Sequence, residues 1–63
     1  MSDAEDQDIL RETADDLLAN AERCYRLARG TTDFSVREKL IALGQEFETR
    51  AEAVRAQARS IAR

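Results

Sequence analysis

The sequence predicts an all-α protein, a two-helix antiparallel hairpin that is coiled-coil-like and dimerises into a four-helix bundle. The 63 residues contain no proline and are 37% charged, a composition typical of long helices. Apolar residues recur in alternating steps of four and three in two separate stretches. One short run of turn-forming residues separates the two stretches, which therefore read as two helices.

The first helix is predicted over residues 8–29. Residues 1–7 are acidic and carry almost nothing to bury, so we expect a disordered tail there and the hairpin over residues 8–63. From residue 8 onward, apolar side chains share one stripe of a helix. The stripe consists of Leu10, Ala14, Leu17, Ala21, Cys24 and Ala28.

The turn is predicted over residues 30–33. Gly30 suits the C′ position, where a left-handed backbone ends the helix. Asp33 is the favoured N-cap of the second helix. Ser35 and Glu38 form an alternative capping box two residues later, and the sequence leaves both registers open.

The second helix is predicted over residues 34–62. Its stripe consists of Leu40, Gly44, Phe47, Ala51, Val54, Ala58 and Ile61. Because the connection is so short, the two helices must lie antiparallel. Large and small residues alternate along each stripe, which favours close packing of the two backbones. Gly44 costs about 1 kcal/mol inside a helix, and this indicates a close approach at that point.

The apolar residues exceed what one seam can bury, and a chain of this length is marginally stable alone. We therefore expect a homo-oligomer, with a twofold dimer favoured. Docking of a helix from another protein is the alternative. The candidate interface residues are Leu18, Tyr25, Leu27, Ile41 and Leu43.

Catalysis, cofactors and metal binding are not expected. The chain has no histidine, and its one cysteine lies near the end of the first helix, where a thiolate is disfavoured. The net charge of −3 argues against nucleic acid, and no apolar run is long enough for a membrane span. The acidic N-terminus is no signal peptide, so the expected location is the cytoplasm.

Arginines near the turn offer a further, weaker alternative, an anion or small-molecule site at that end of the hairpin. Arginine forks beside a helix N-terminus can bind phosphate or carboxylate. Their positions also suit the electrostatics of a helix end without any ligand. The candidate residues are Arg23, Arg26, Arg29 and Arg37.

Residues 21–54 resemble a group of small helical proteins of unknown function from alphaproteobacteria, rhizobia in particular. The group has A-x-x-C-x-x-L-A, a T-x-D turn, R-x-x-L-x-x-L-A and an aromatic-Glu pair before Ala. The matching residues are Ala21, Cys24, Leu27, Ala28, Thr31 or Thr32, Asp33, Arg37, Leu40, Leu43, Phe47, Glu48 and Ala51. Phe34 stands where the group often has proline, and Gly44 stands where it has alanine. The resemblance implies a helical hairpin capped by Asp33 and implies no activity.

Together these observations predict a non-enzymatic, self-associating helical hairpin with a structural or regulatory role.

Overall fold

The structure, a computed structural model, describes residues 3–61, and it is all-helical apart from one short connection. Helix α1 spans Asp3–Gly30 and helix α2 spans Phe34–Ile61. The two helices pack side by side and antiparallel: Gln7 near the start of α1 contacts Ala58 near the end of α2. The molecule is a rod of about one helix length, 48 × 13 × 12 Å.

Helix α1 begins earlier than the sequence predicts. The predicted disordered tail over residues 1–7 is wrong for residues 3–7, which are helical; residues 1 and 2 lie outside the described part. The side-chain amide of Gln7 donates a hydrogen bond of 3.5 Å to the carbonyl of Ala58, and Asp6 and Gln7 are partly buried. Acidic side chains also suit the positive end of the helix dipole, so this segment gains from continuing the helix.

The turn comprises residues 31–33. Asp33 is the N-cap of α2: its Oδ1 accepts a hydrogen bond from the amide of Val36 at 3.1 Å, and its carbonyl accepts one from the amide of Arg37 at 2.9 Å. Ser35 lies inside the helix, so the capping box that starts at Ser35 does not form. The Thr31 hydroxyl accepts a hydrogen bond from the amide of Asp33 at 3.2 Å.

Gly30 does not occupy the predicted left-handed C′ position. It is the last residue of α1, and no described glycine has a positive φ. Instead, the guanidinium of Arg37 donates a hydrogen bond of 3.0 Å to the carbonyl of Thr31, the first residue of the connection. A side chain from α2 therefore stabilises the corner, and no left-handed residue is needed.

The buried core consists of small residues. Among the side chains of residues 4–61, the buried apolar ones are Ala14, Ala21, Cys24, Ala28, Ala51 and Ala58, and Gly44 is buried with them. No large side chain in that range is fully buried. The larger stripe residues, such as Leu17 and Phe47, are half-buried. The small residues allow the helices to approach closely, but the apolar bulk remains on the flanks of the seam.

Candidate interaction surfaces

The hairpin is one helix thick, so it has two faces, and flanking residues belong to one or the other. Tyr25, Arg29, Arg37 and Ile41 line one groove between the helices, and we call their side the groove face. Leu27 follows Tyr25 by two residues and Leu43 follows Ile41 by two, a rotation of about 200°. Leu27 and Leu43 therefore lie on the opposite side.

That opposite side, the apolar face, carries most of the exposed large apolar residues. Leu27 is 53% exposed and Leu43 is 41% exposed. Ile9 lies five helical turns before Leu27, and Val36 lies two turns before Leu43, so both point the same way. Ile9 is 54% exposed and Val36 is 44% exposed. Four large apolar side chains thus remain accessible to water on one face.

The five predicted interface residues are divided between the two faces. Leu18 lies two turns before Tyr25, so Leu18, Tyr25 and Ile41 belong to the groove face. Leu27 and Leu43 belong to the apolar face. One flat partner therefore cannot cover all five. The predicted interface set also left out Ile9 and Val36, although the sequence pattern already puts Ile9 on the same flank of the first helix as Leu27, 18 residues later.

The side chain of Tyr25 in α1 packs against α2 of the same chain. Its ring lies over Gly44 so closely that a Cβ atom added there would be 2.7 Å from Cε1 and 2.8 Å from Cζ. Its hydroxyl donates a hydrogen bond to the Glu48 carboxylate. This hydrogen bond is the main cause that raises the pKa of Tyr25 to about 12, followed by burial and the negative charge of Glu48. The ring therefore connects the two helices at this level.

The groove at the turn end has a volume of about 710 Å³ and is lined by Tyr25, Ala28, Arg29, Arg37 and Ile41. Arg37 is held by the Thr31 carbonyl. Arg29 makes no ion pair with any carboxylate of residues 4–61. The structure thus brings two of the four predicted arginines to one groove with an aromatic and an aliphatic wall.

The other two arginines are placed differently. Arg26 lines a smaller neighbouring groove with Glu22, Tyr25 and Arg29. Arg23 lines neither groove. The predicted cluster of four is therefore a pair, Arg29 and Arg37, with Arg26 beside it.

At the end of the rod away from the turn, which we call the open end, the groove face is polar. Asp15 and Arg55 form an ion pair between the helices at 3.8 Å, and Arg59 pairs with Glu52 of its own helix at 3.1 Å. Arg11, Asp15, Arg55 and Arg59 line a groove of about 330 Å³ with Gln7 and Ala58. These pairs are exposed, so each contributes little to stability.

Metal-binding and nucleophilic groups do not converge in the described part of the chain. No three His, Cys, Asp or Glu side chains among residues 4–61 are grouped as a metal site would require. Cys24 is buried among the small core residues and is 7% exposed. Neither described helix combines the length and apolar character needed to cross a bilayer.

Comparison with known proteins found no match to this chain among protein-family models, curated proteins or solved structures. The resemblance to the small alphaproteobacterial proteins stays a prediction.

Proposed function

We propose that this chain is a non-enzymatic helical hairpin that acts by self-association, with two copies forming a four-helix bundle in a structural or regulatory role. The observation that carries the proposal is the composition of the core. Alanine, glycine and one cysteine fill the seam, whereas Ile9, Leu27 and Leu43 stay about half exposed. A second layer of helices would bury these side chains and supply the large-residue core that the hairpin lacks.

The surface area supports the same proposal. The chain exposes 4756 Å², whereas a compact globular protein of 7.1 kDa exposes about 4,100 Å². Its radius of gyration is 14.6 Å, against about 10.6 Å for a compact domain of this length. The excess surface is close to the roughly 800 Å² that each partner buries in a standard interface. A dimer would therefore remove about as much surface as the isolated hairpin has in excess.

Sedimentation equilibrium at several protein concentrations, with a reducing agent present, tests the proposal. The reducing agent excludes a disulfide between Cys24 residues as the cause of association. We expect a reversible dimer or a larger defined species. A folded monomer at every concentration would overturn self-association and leave docking of a helix from another protein as the function of the exposed residues.

A second candidate function, anion binding in the turn-end groove, is favoured by the placement of Arg29. Its guanidinium has no carboxylate partner among the side chains of residues 4–61 and lies beside Arg37 in the groove. We expect inorganic phosphate to raise the melting temperature of the wild type more than that of Arg29→Gln. Arg23→Gln, a charge change outside the groove, is the matched control. Equal stabilisation of all three proteins would exclude this site.

A further inference from the structure

We propose that the apolar face is the self-association surface and that a second copy of this chain covers it, with matching apolar layers at the two ends of the rod. This inference rests on the self-association proposed above and adds the face, the residues and the geometry of contact.

Contacts between the helices establish which residues lie at the same height along the rod. Tyr25 lies against Gly44, and Asp15 pairs with Arg55. Leu27 follows Tyr25 by two residues and Leu43 precedes Gly44 by one, so the two leucines lie at nearly the same height near the turn. They form the leucine layer of the apolar face.

A second apolar layer lies near the open end, at equal distances along both helices from the ion pair of Asp15 and Arg55. Ile9 precedes Asp15 by six residues, and Ile61 follows Arg55 by six. Because the helices are antiparallel, Ile9 and Ile61 lie at the same height. Ile61 is half-buried and Ile9 is exposed. These two residues form the isoleucine layer.

The spacing between the two layers is the same on both helices. Ile9 and Leu27 are 18 residues apart on α1, and Leu43 and Ile61 are 18 residues apart on α2. Eighteen residues are five full turns, so the layers share one face and are about 27 Å apart. A twofold axis therefore superposes apolar layers on apolar layers, whether the two turns lie at the same end or at opposite ends.

This repeat favours a second copy over a single foreign helix. One helix lying on the face would present one row of side chains, whereas the face has two rows with equal spacing. A second hairpin presents two such rows with the same spacing. Between the layers the face is polar and partly charged, with Thr13, Asp16, Asn20, Arg50 and Gln57 on the same side of the helices. Contact would therefore be strongest at the two ends.

The groove face suits this role less well. Tyr25 is engaged with Gly44 and Glu48, and the open end carries Arg11, Asp15, Arg55 and Arg59. Pairing through the groove face would desolvate these charged side chains at the open end, whereas the charged side chains of the apolar face, such as Asp16 and Arg50, lie between its two layers. In the proposed dimer the groove face stays outside, and Arg29 remains accessible to solvent.

The test compares sedimentation equilibrium of the wild type with variants of each face. Leu27→Glu/Leu43→Glu changes the leucine layer, Ile9→Glu changes the isoleucine layer, and Ile41→Glu is the matched control on the groove face. We expect the dissociation constant to rise at least tenfold for both apolar-face variants and to change less than threefold for Ile41→Glu. Circular dichroism checks that each variant stays helical.

The outcomes separate the two proposals. A monomeric wild type overturns self-association itself. A dimeric wild type that is dissociated by Ile41→Glu but not by the apolar-face variants leaves self-association intact and overturns the choice of face. If an added glutamate unfolds the hairpin, Leu27→Ala/Leu43→Ala replaces it, with the same tenfold criterion against Ile41→Ala.

Discussion

Asp33 shows how one residue begins a helix at a three-residue corner. Its side chain accepts a hydrogen bond from the Val36 amide, one of the first amides of α2, which have no partner within the helix. Thr31 and Arg37 add two further hydrogen bonds at the same corner. The corner is therefore held by side chains from both sides of the connection.

We expect Asp33→Ala to lower the free energy of unfolding by about 1 kcal/mol, because the Val36 amide loses its acceptor. For a domain of this size the melting temperature would fall by about 4–8 °C. Ser35→Ala, inside the helix, is the control and should change stability little. Equal losses in both variants, measured by thermal unfolding, would contradict the assignment of Asp33 as the cap.

Tyr25 provides a spectroscopic probe of the contact between the helices. The chain has one tyrosine and no tryptophan, so the absorbance of tyrosinate reports this residue alone. We expect Tyr25 to ionise at a pH well above 10, because the hydrogen bond to Glu48 raises its pKa to about 12. Glu48→Gln should lower that pKa towards 10. An ordinary pKa in the wild type would show that the hydrogen bond does not form in solution.

The same raised pKa predicts how stability depends on pH. The pKa is higher in the folded chain than the usual tyrosine value of 10.0, so the stabilisation is complete below pH 10 and is lost as the pH rises towards 12. Tyr25→Phe lacks this ionisation and should show a shallower decline. The free energy of unfolding of both proteins is measured by urea unfolding between pH 9 and pH 12. Because all other titratable groups are the same in the two proteins, the difference between the two curves gives the contribution of Tyr25.

At the scale of the helices, the two glycines have opposite roles. A Cβ atom at Gly30 would meet no atom within 4 Å, and the backbone there has no positive φ. A Cβ atom at Gly44 would overlap the Tyr25 ring. Gly30 is therefore replaceable, whereas Gly44 provides the space in which Tyr25 crosses from α1 to α2.

We expect Gly30→Ala to stabilise the protein by about 0.4–1 kcal/mol, since alanine restricts the unfolded chain and fits the helix. Gly44→Ala should be less stable than Gly30→Ala by about 1–3 kcal/mol, because the ring must move. In a Tyr25→Ala background the Gly44→Ala penalty should disappear. A double-mutant cycle by urea unfolding measures this coupling, and additive effects would contradict the close contact.

At the scale of the whole molecule, the rod has too little core for its surface. Its buried residues are small, and the charged pairs at the open end are exposed. Such pairs contribute about 0–1 kcal/mol each. Stability must therefore come largely from burial of the half-exposed leucines and isoleucines, and the isolated hairpin buries them only in part.

We consequently expect the melting temperature to rise with protein concentration, since association stabilises the folded chain by mass action. Leu27→Glu/Leu43→Glu should remove this dependence. The measurement is thermal unfolding by circular dichroism over a hundredfold range of concentration. A melting temperature that stays constant for the wild type would contradict coupling between folding and association.

The two helices and their antiparallel pairing could be predicted from the sequence, which left the cap of α2 open between Asp33 and Ser35. These features follow from local signals: the four-and-three spacing of apolar residues, the strong helix formers, and Asp33 between two periodic runs. It also identified the small residues of the seam, since the five alanines at positions 14, 21, 28, 51 and 58 are buried together with Gly44 in the described structure. Each of these signals depends on residues close to one another along the chain.

The start of α1, the contacts of Tyr25 and the relative height of the two helices became clear only in the folded structure. Gln7 is held by Ala58 and Tyr25 by Gly44 and Glu48, contacts between residues that are 19 or more positions apart. Periodicity places Leu43 and Ile41 on opposite flanks of α2, but it does not state which residues of α1 and α2 lie at the same height along the rod. Packing of the Tyr25 ring into the space at Gly44 establishes that height, and with it the pairing of Leu27 with Leu43.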